Sequence, residues 1–242
     1  MIPSTVAFPV TRFLNFIIKQ GSSIVLDLDI AELNKVPRNG PLIIATNHIN
    51  FIEVPVVYTH LQPRPITGLV KIETWNNPLM GLLFDLWGGI PVRRGEADVT
   101  AAKRCLDALK EGKIVAVAPE GTRSGDGRLR KGNAGIVFLA IKSQAPILPI
   151  AFYGAEQYWQ DLRSLNKIPF RIRVGKPFLI DVSNKTINQK IRNQIADEIM
   201  IQIALLLPSS YHGYYAGRVS EKPEYLKFLV SEFEPRERKF SN

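Results

Sequence analysis

The chain is predicted to be an α/β protein with a largely parallel or mixed central sheet flanked by helices. Three observations predict this. Short apolar runs recur, "PLIIAT" (41–46), "KIVAVAP" (113–119) and "ILPIAFYG" (147–154), with the length and apolar continuity of strands buried on both faces. Amphipathic stretches of helical period lie between such runs, most clearly "DVTAAKRCLDALKEG" (98–112). The two kinds of segment alternate, and strands separated by helices pair most readily in parallel.

Taken in order, the N-terminus carries Val6, Val10, Phe13, Leu14 and Ile17 at helical spacing, with Thr11, Arg12, Asn15 and Lys19 largely elsewhere on the wheel. This amphipathic helix either lies in a membrane interface or packs on the domain. "SSIVLDLDI" (22–30) alternates as a strand does, and "PLIIAT" is a buried strand. "IEVPVVYTHL" (52–61) is a short helix with an acid and a proline near its start and Asn50 as its cap. "PITGLVK" (65–71) is a strand and "NNPLMGLLFDL" (76–86) a mostly apolar helix. Its Leu79, Met80, Leu82, Leu83 and Phe84 belong to the core, to a hydrophobic surface or to a groove. "GGIPV" (88–92) is a strand ending at Arg93 and Arg94. The helix over 98–112 is capped by Asp98 and stopped by Gly112. After the strand 113–119 and a glycine-rich basic loop come the helix "AGIVFLAIKS" (134–143) and the strands "ILPIAFYG" and "RIRVG" (171–175). The helix "TINQKIRNQIADEIMIQIALLL" (186–207) has Thr186 and Gln189 at capping-box spacing. The pattern divides into an N-terminal helix and lead-in strand (1–35), a main domain (36–208) and a C-terminal extension (209–242), in which His212 reads as structural.

Composition bounds the function. The chain has 242 residues, 45% hydrophobic and 22% charged, which suits one sizeable core. Its single cysteine, Cys105, excludes an internal disulfide framework and a cysteine-based structural zinc site. No apolar stretch reaches a membrane-spanning length: "LMGLLFDLWGGIPV" (79–92) is short and broken by Asp85 and three glycines. No secretory signal pattern opens the sequence. The net charge of +9 favours anionic partners, whether membrane surface, phosphorylated substrate or nucleic acid.

Two constellations carry chemistry. In "NHINFIEVP" (47–55), His48 and Glu53 are too far round a regular helix to pair, five residues giving a rotation of roughly 140°. They meet if His48 lies on the loop after the strand and Glu53 in the first helical turn. A carboxylate-held imidazole is the kit for a general base. The same residues also fit a loop histidine and an acid favoured by the helix dipole. The second constellation, "PEGTRSGDGRLRKGNAG" (119–135), follows a buried strand and precedes a helix, where open α/β sheets bind ligands. Its glycines permit close backbone approach, and Arg123, Arg128, Arg130 and Lys131 supply charge suited to phosphate. It lacks the ending of a Walker A loop and the Gly-x-Ser-x-Gly of a nucleophile elbow. A solvated basic loop is the plain alternative.

The order of "NHINFIE", "GGIPVRR", "PEGTRS" and "APILPIAFYG" resembles the four blocks of the glycerolipid acyltransferases, most nearly the 1-acyl-glycerol-3-phosphate (lysophosphatidic acid) acyltransferases, over roughly residues 40–155. The resemblance implies a glycerol-3-phosphate acyltransferase-like fold and an O-acyl transfer from an acyl thioester, carried by CoA or acyl carrier protein, to a lysophospholipid. It implies His48 as general base and Glu53 as its partner. Arg94, Glu120, Gly121, Thr122, Arg123 and Lys131 would serve the acceptor's phosphate, and Pro149 the acyl-donor region. No cofactor or metal is implied. Two positions depart from the family pattern: the acid is usually Asp where Glu53 stands, and Asn50 stands where Ser is common. Ser124 as a covalent nucleophile is disfavoured, because direct attack by the acceptor needs no acyl-enzyme.

The expected enzyme is peripheral (monotopic), on the cytoplasmic face of an anionic membrane. An acyltransferase for another hydroxylated lipid and an inactive phospholipid-binding homologue are the alternatives. A nucleic-acid partner is not expected, since no recognisable binding fold or basic stripe interleaved with aromatics accompanies the charge.

Overall fold

The computed structural model describes residues 4–93, 95, 98–183 and 185–229, with the side chains of 4–8 left aside. Nine strands among them form one mixed sheet. The strands are β1 (Leu26–Asp29), β2 (Leu42–Thr46), β3 (Ile66–Lys71), β4 (Ile90–Val92), β5 (Ile114–Val117), β6 (Ile147–Tyr153), β7 (Ile168–Val174), β8 (Phe178–Ile180) and β9 (Leu226–Phe228). The main order is β1-β7-β6-β2-β5-β3-β4, and β8 joins β6 and β9. Strands β6, β2, β5, β3 and β4 run parallel, while β7 runs antiparallel to β6. Because β5, β2 and β6 are parallel neighbours, the loops after them leave from one edge of the sheet, which is the edge that binds ligands in such folds.

Helices cover both faces. On one lie α1 (Ser4–Val25), α2 (Glu53–His60) and α3 (Pro78–Leu86), with the short α6 (Tyr158–Arg163), over a core that includes Leu42, Ile44, Tyr58, Trp87, Ile150 and Phe170. On the other lie α4 (Val99–Lys110), α5 (Gly135–Ser143) and α7 (Gln189–Ala204), over Ile43, Val115, Ile136, Ile147, Ile199 and Tyr215. Alternate residues of one strand, Ile43 and Ile44, thus feed opposite cores, as a period of two requires.

Most sequence-derived elements stand where expected, and Asp98 caps α4 by accepting from Ala101 N at 2.9 Å. Three details differ. The helix α1 runs on through Ser22–Val25, where the Ser22 and Ser23 hydroxyls donate to Lys19 O at 2.8 and 3.0 Å, so β1 begins only at Leu26. The cap of α7 is Asn188, accepting from Ile191 N at 2.9 Å, rather than a Thr186–Gln189 capping box. The tail is not a separate appendage: β9 pairs with β8, Tyr215 is fully buried, and His212 Nε2 meets Leu207 O at 3.1 Å. Both β1, before position 35, and β9, after position 208, belong to the sheet.

The orientation of α1 reverses a naive reading of its wheel. Polar Asn15 faces inward, only 7% exposed, and accepts from Trp87 Nε1 at 2.8 Å. Phe13 and Phe16 face outward, 64% and 60% exposed. A buried indole N–H needs an acceptor, so one polar residue docks the helix. Replacing it by alanine leaves that donor unsatisfied. Asn15→Ala is expected to lower stability by about 1–3 kcal/mol in urea unfolding, with little change in secondary structure by circular dichroism.

Candidate active site

The loop after β2 begins with Asn47, whose side chain continues the sheet by one rung. Its Nδ2 donates to Phe152 O and its Oδ1 accepts from Phe152 N, both at 2.8 Å. This buried clamp fixes where the chain leaves β2, and so where His48 begins. Asn50 fixes the other end of the loop. Its Nδ2 donates to Ala155 O at 2.7 Å, and its Oδ1 accepts from Ile52 N at 2.9 Å. The residue expected to cap α2 thus closes an Asx turn two residues earlier, and the N-cap position itself is Ile52.

Glu53 opens α2 and is almost fully buried, and its two oxygens have separate tasks. Oε2 lies 2.6 Å from His48 Nδ1. Oε1 accepts from Ile49 N at 3.1 Å and Asn50 N at 2.8 Å. The expected pairing of loop histidine and first-turn acid is therefore present. The carboxylate accepts only, so in the neutral form of the imidazole the proton sits on Nδ1 and Nε2 keeps its lone pair. One carboxylate thus spans both the ring and the two loop amides.

A second buried carboxylate joins this loop to the one after β5. Glu120 Oε1 accepts from His48 N at 3.1 Å and Oε2 accepts from Arg130 N at 2.9 Å. Ser124 N donates to His48 O at 2.8 Å, and Gly125 N to Ile49 O at 3.1 Å. Burial raises the Glu120 carboxyl above its ordinary range, opposed by the N–H groups of Arg130 and His48. Its oxygens face backbone donors, a poor arrangement for a ligand of phosphate and a good one for a brace between loops.

The remaining expected site residues sit around this frame. Gly121 and Thr122 line the cavity that holds His48 and Glu53. Arg123 and Lys131 are exposed, with Lys131 Nζ 5.9 Å from the Tyr214 ring centre. Arg130 Nη2 donates to Ser124 O at 3.1 Å, which spends part of that cation on folding the loop. Arg93 lines the cavity, and its N–H donates to Asp98 Oδ2 at 3.1 Å. Arg94 lies outside the described residues. Ser124 Oγ donates to the backbone His48 O at 3.3 Å. Pro149 is buried within β6 opposite Ala45 and is not among the cavity's lining residues.

The cavity has a volume of about 940 Å³. Away from His48 its wall is apolar, with Leu69, Val92, Ala102, Leu106 and Phe138 among the lining residues. Sequence reasoning missed this lining, because it is assembled from β3, β4, α4 and α5, whose inward residues read in isolation as ordinary core. Cys105 is also part of the wall, and burial pushes its thiol up to about 12, so it is a neutral, inert surface at physiological pH. An apolar cavity that ends at a carboxylate-held imidazole can hold a long alkyl chain with its reactive end at a base.

Comparison with known proteins bears on the family and the fold. The acyltransferase family model matches residues 27–153. A chloroplastic 1-acyl-sn-glycerol-3-phosphate acyltransferase of Brassica napus is 28% identical over 198 residues, covering 78% of this chain and 56% of that protein. The chloroplastic enzyme of that description from Arabidopsis thaliana is 30% identical over 151 residues, 59% of this chain and 42% of its own length. The chain spans about half the length of the curated relatives it matches. The crystal structure of the 1-acyl-sn-glycerophosphate acyltransferase PlsC of Thermotoga maritima shares the fold, with a TM-score of 0.57 and 17% identity over 85% of this chain and 84% of that one.

The tautomer argument has a direct test. In Glu53→Gln the side-chain oxygen can still accept from the Ile49 and Asn50 amides, which turns the NH₂ toward Nδ1. The ring must then accept at Nδ1 and carry its proton on Nε2. Nitrogen-15 NMR of the His48 imidazole is expected to show this exchange of tautomers in a variant that remains folded.

Proposed function

The chain belongs to the acyltransferase family, and from that premise we propose that it transfers a fatty acyl group from an acyl thioester to the sn-2 hydroxyl of a 1-acyl-glycerol-3-phosphate, giving phosphatidic acid. The observation that carries this reading is the His48–Glu53 pair at 2.6 Å beside the apolar cavity. The descriptions of the relatives name the acceptor, and the exposed Arg123 and Lys131 are suited to its phosphate. Arg94 belongs to this group by its place in the sequence.

In the proposed reaction His48 Nε2 takes the proton of the acceptor hydroxyl as that oxygen attacks the thioester carbonyl. Glu53 stabilises the imidazolium that forms. The tetrahedral intermediate collapses, the C–S bond breaks, and the imidazolium returns its proton to the departing sulfur. The products are an ester and a free thiol, and neither electrons nor atoms are left over. The thiol belongs to CoA or to acyl carrier protein. Glu120 serves as a brace that holds the His48 backbone against the loop of Gly121, Thr122 and Arg123, and Pro149 is assigned to the donor region by its place in the sequence alone.

Acceptor and product are bilayer lipids under this reading, so the site works at a membrane surface. No helix among the described residues is long and apolar enough to cross a membrane. Several exposed apolar side chains rise from the layer that contains α1, α2, α3 and α6. They include Phe13, Phe16 and Ile17 on α1, Leu79 on α3 at 68% exposure, and Trp159 and Leu162 on α6. Just after α6, Leu165 is 94% exposed and held at a φ of +55°, an uncommon conformation for a bulky residue. Phe51, within the catalytic loop, packs edge-on to Tyr158 at 5.2 Å, which brings this surface to the site. With a net charge of +9, such a surface suits monotopic binding to an anionic leaflet, on the cytoplasmic face where acyl thioesters are made.

Thioester release with purified protein tests the reaction. His48→Ala is expected to lower turnover about 10²–10⁴-fold in a folded protein, and near-normal turnover would refute the base assignment. Arg123→Ala is expected to raise KM for the phosphorylated acceptor about tenfold or more, the worth of a charged hydrogen bond, while a monoacylglycerol lacking phosphate is affected little. Equal losses with both acceptors would point to another hydroxylated lipid. Flotation with anionic liposomes is expected to weaken in high salt and when Phe13 and Ile17 are made polar. Failure to float under any salt condition would remove the membrane from the reading.

A further inference from the structure

The segment after α7 lies beyond the family match, which ends at residue 153, and its sequence gives it no role. In the fold it wraps the basic loop. Leu129 N donates to Tyr211 O at 2.9 Å and Tyr214 N donates to Leu129 O at 2.8 Å, so one loop residue is held on both sides by the tail. The fit is close enough to dictate residue types. A Cβ at Gly127, where φ is +75°, would stand 2.8 Å from Tyr211 Cε1, and one at Gly213 would stand 2.3 Å from Leu129 O. Loop and tail are thus closely complementary at Gly127 and Gly213.

One buried side chain extends this contact into a chain of hydrogen bonds. Tyr215 Oη accepts from Gly132 N at 2.9 Å and donates to Asp197 Oδ1 at 2.9 Å. Asp197, on α7, is held from its other oxygen by Arg218 Nη1 at 3.1 Å. Arg218 is in turn paired with Glu221 through Nε at 2.8 Å and Nη2 at 3.0 Å. The neighbouring Tyr214 ring lies under Lys131 Nζ. The C-terminal end of the basic loop is thereby tied to the rigid helix α7, while its N-terminal end is tied to His48 through Glu120.

We propose that Tyr215, fixed by Asp197 and Arg218, is a positioning residue that sets the shape of the loop over 121–132 and so the affinity for the phosphate of the acceptor. It touches neither substrate nor the reacting atoms. Its effect passes through the Gly132 amide and the register of Leu129 to the cations of the loop. The phosphate part of this inference rests on the function proposed above, while the anchoring of the loop does not.

Deleting the tail would expose the core around Tyr215, so the informative variant is Tyr215→Phe, which keeps the ring and removes the hydroxyl. Two measurements are needed. The first is amide hydrogen exchange over residues 127–133 of the full chain, expected to accelerate in the variant while β2 and β5 keep their protection. The second is steady-state kinetics with 1-acyl-glycerol-3-phosphate and a long-chain acyl-CoA. KM for the phosphorylated acceptor is expected to rise about two- to tenfold, the worth of one hydrogen bond, with kcat and KM for the thioester within about twofold. Unchanged exchange would overturn the anchoring role, and so would a uniform loss of protection across the sheet. Faster exchange with an unchanged acceptor KM, or with donor and acceptor KM rising together, would overturn the link to phosphate. A wild-type protein that turns over no phosphorylated acceptor would instead refute the function proposed above, and the phosphate link with it, and the exchange measurement would still decide the anchoring.

Discussion

Everything at the site depends on the carboxylate of Glu53. A single buried group holds the imidazole through one oxygen and the turn that presents the imidazole through the other. A buried carboxylate is costly to keep charged unless its lone pairs are filled. Three donors fill them here, so the turn and the ring orientation are determined by the same interaction. The position of α2 follows, because Glu53 is its first residue, and the position of the loop follows from Asn47 and Asn50, which pin its two ends to β6 and to the segment just beyond it.

The second carboxylate, Glu120, extends this arrangement from one strand end to the next. Strands β2 and β5 are parallel neighbours, so their following loops emerge side by side and in the same direction. Side-by-side loops need not stay in register. Glu120, with the Ser124 and Gly125 amides, binds the backbone of residues 48 and 49 and makes the two loops one body. The basic loop is therefore held in a fixed place relative to the His48 imidazole. Preorganisation is what lets charge assist at a reacting centre without paying for rearrangement.

The two layers of helices divide the remaining work. The α4–α5–α7 layer and the tail supply one wall of the cavity and the anchor of the basic loop. The α1–α2–α3–α6 layer carries the exposed aromatic and aliphatic side chains. Phe51 lies between the histidine and its acid in the chain, so the turn that holds His48 and the apolar outer surface are one stretch of chain. The polar Asn15–Trp87 bond accounts for how α1 can dock and still turn its phenylalanines outward.

The sequence by itself determined the alternation of strands and helices, the place of His48 and Glu53 on either side of a helix start, and the basic loop after β5. These are local matters: a period of two or of 3.6, a capping aspartate, a glycine-rich turn, each legible within a dozen residues. It also carried the order of blocks that marks the family. Tertiary structure alone decided the rest. The sequence could not show that Arg130 N and His48 N both face Glu120, because those contacts form only when the two loops fold side by side. It could not find the apolar cavity, because Leu69, Val92, Leu106 and Phe138 become one wall only when four elements pack. Nor could it read the tail, where Tyr215 meets Gly132 across more than eighty residues of chain. Contacts at that separation leave no periodicity, since they are selected by the packed shape of the whole fold and by the cost of leaving a buried donor without an acceptor.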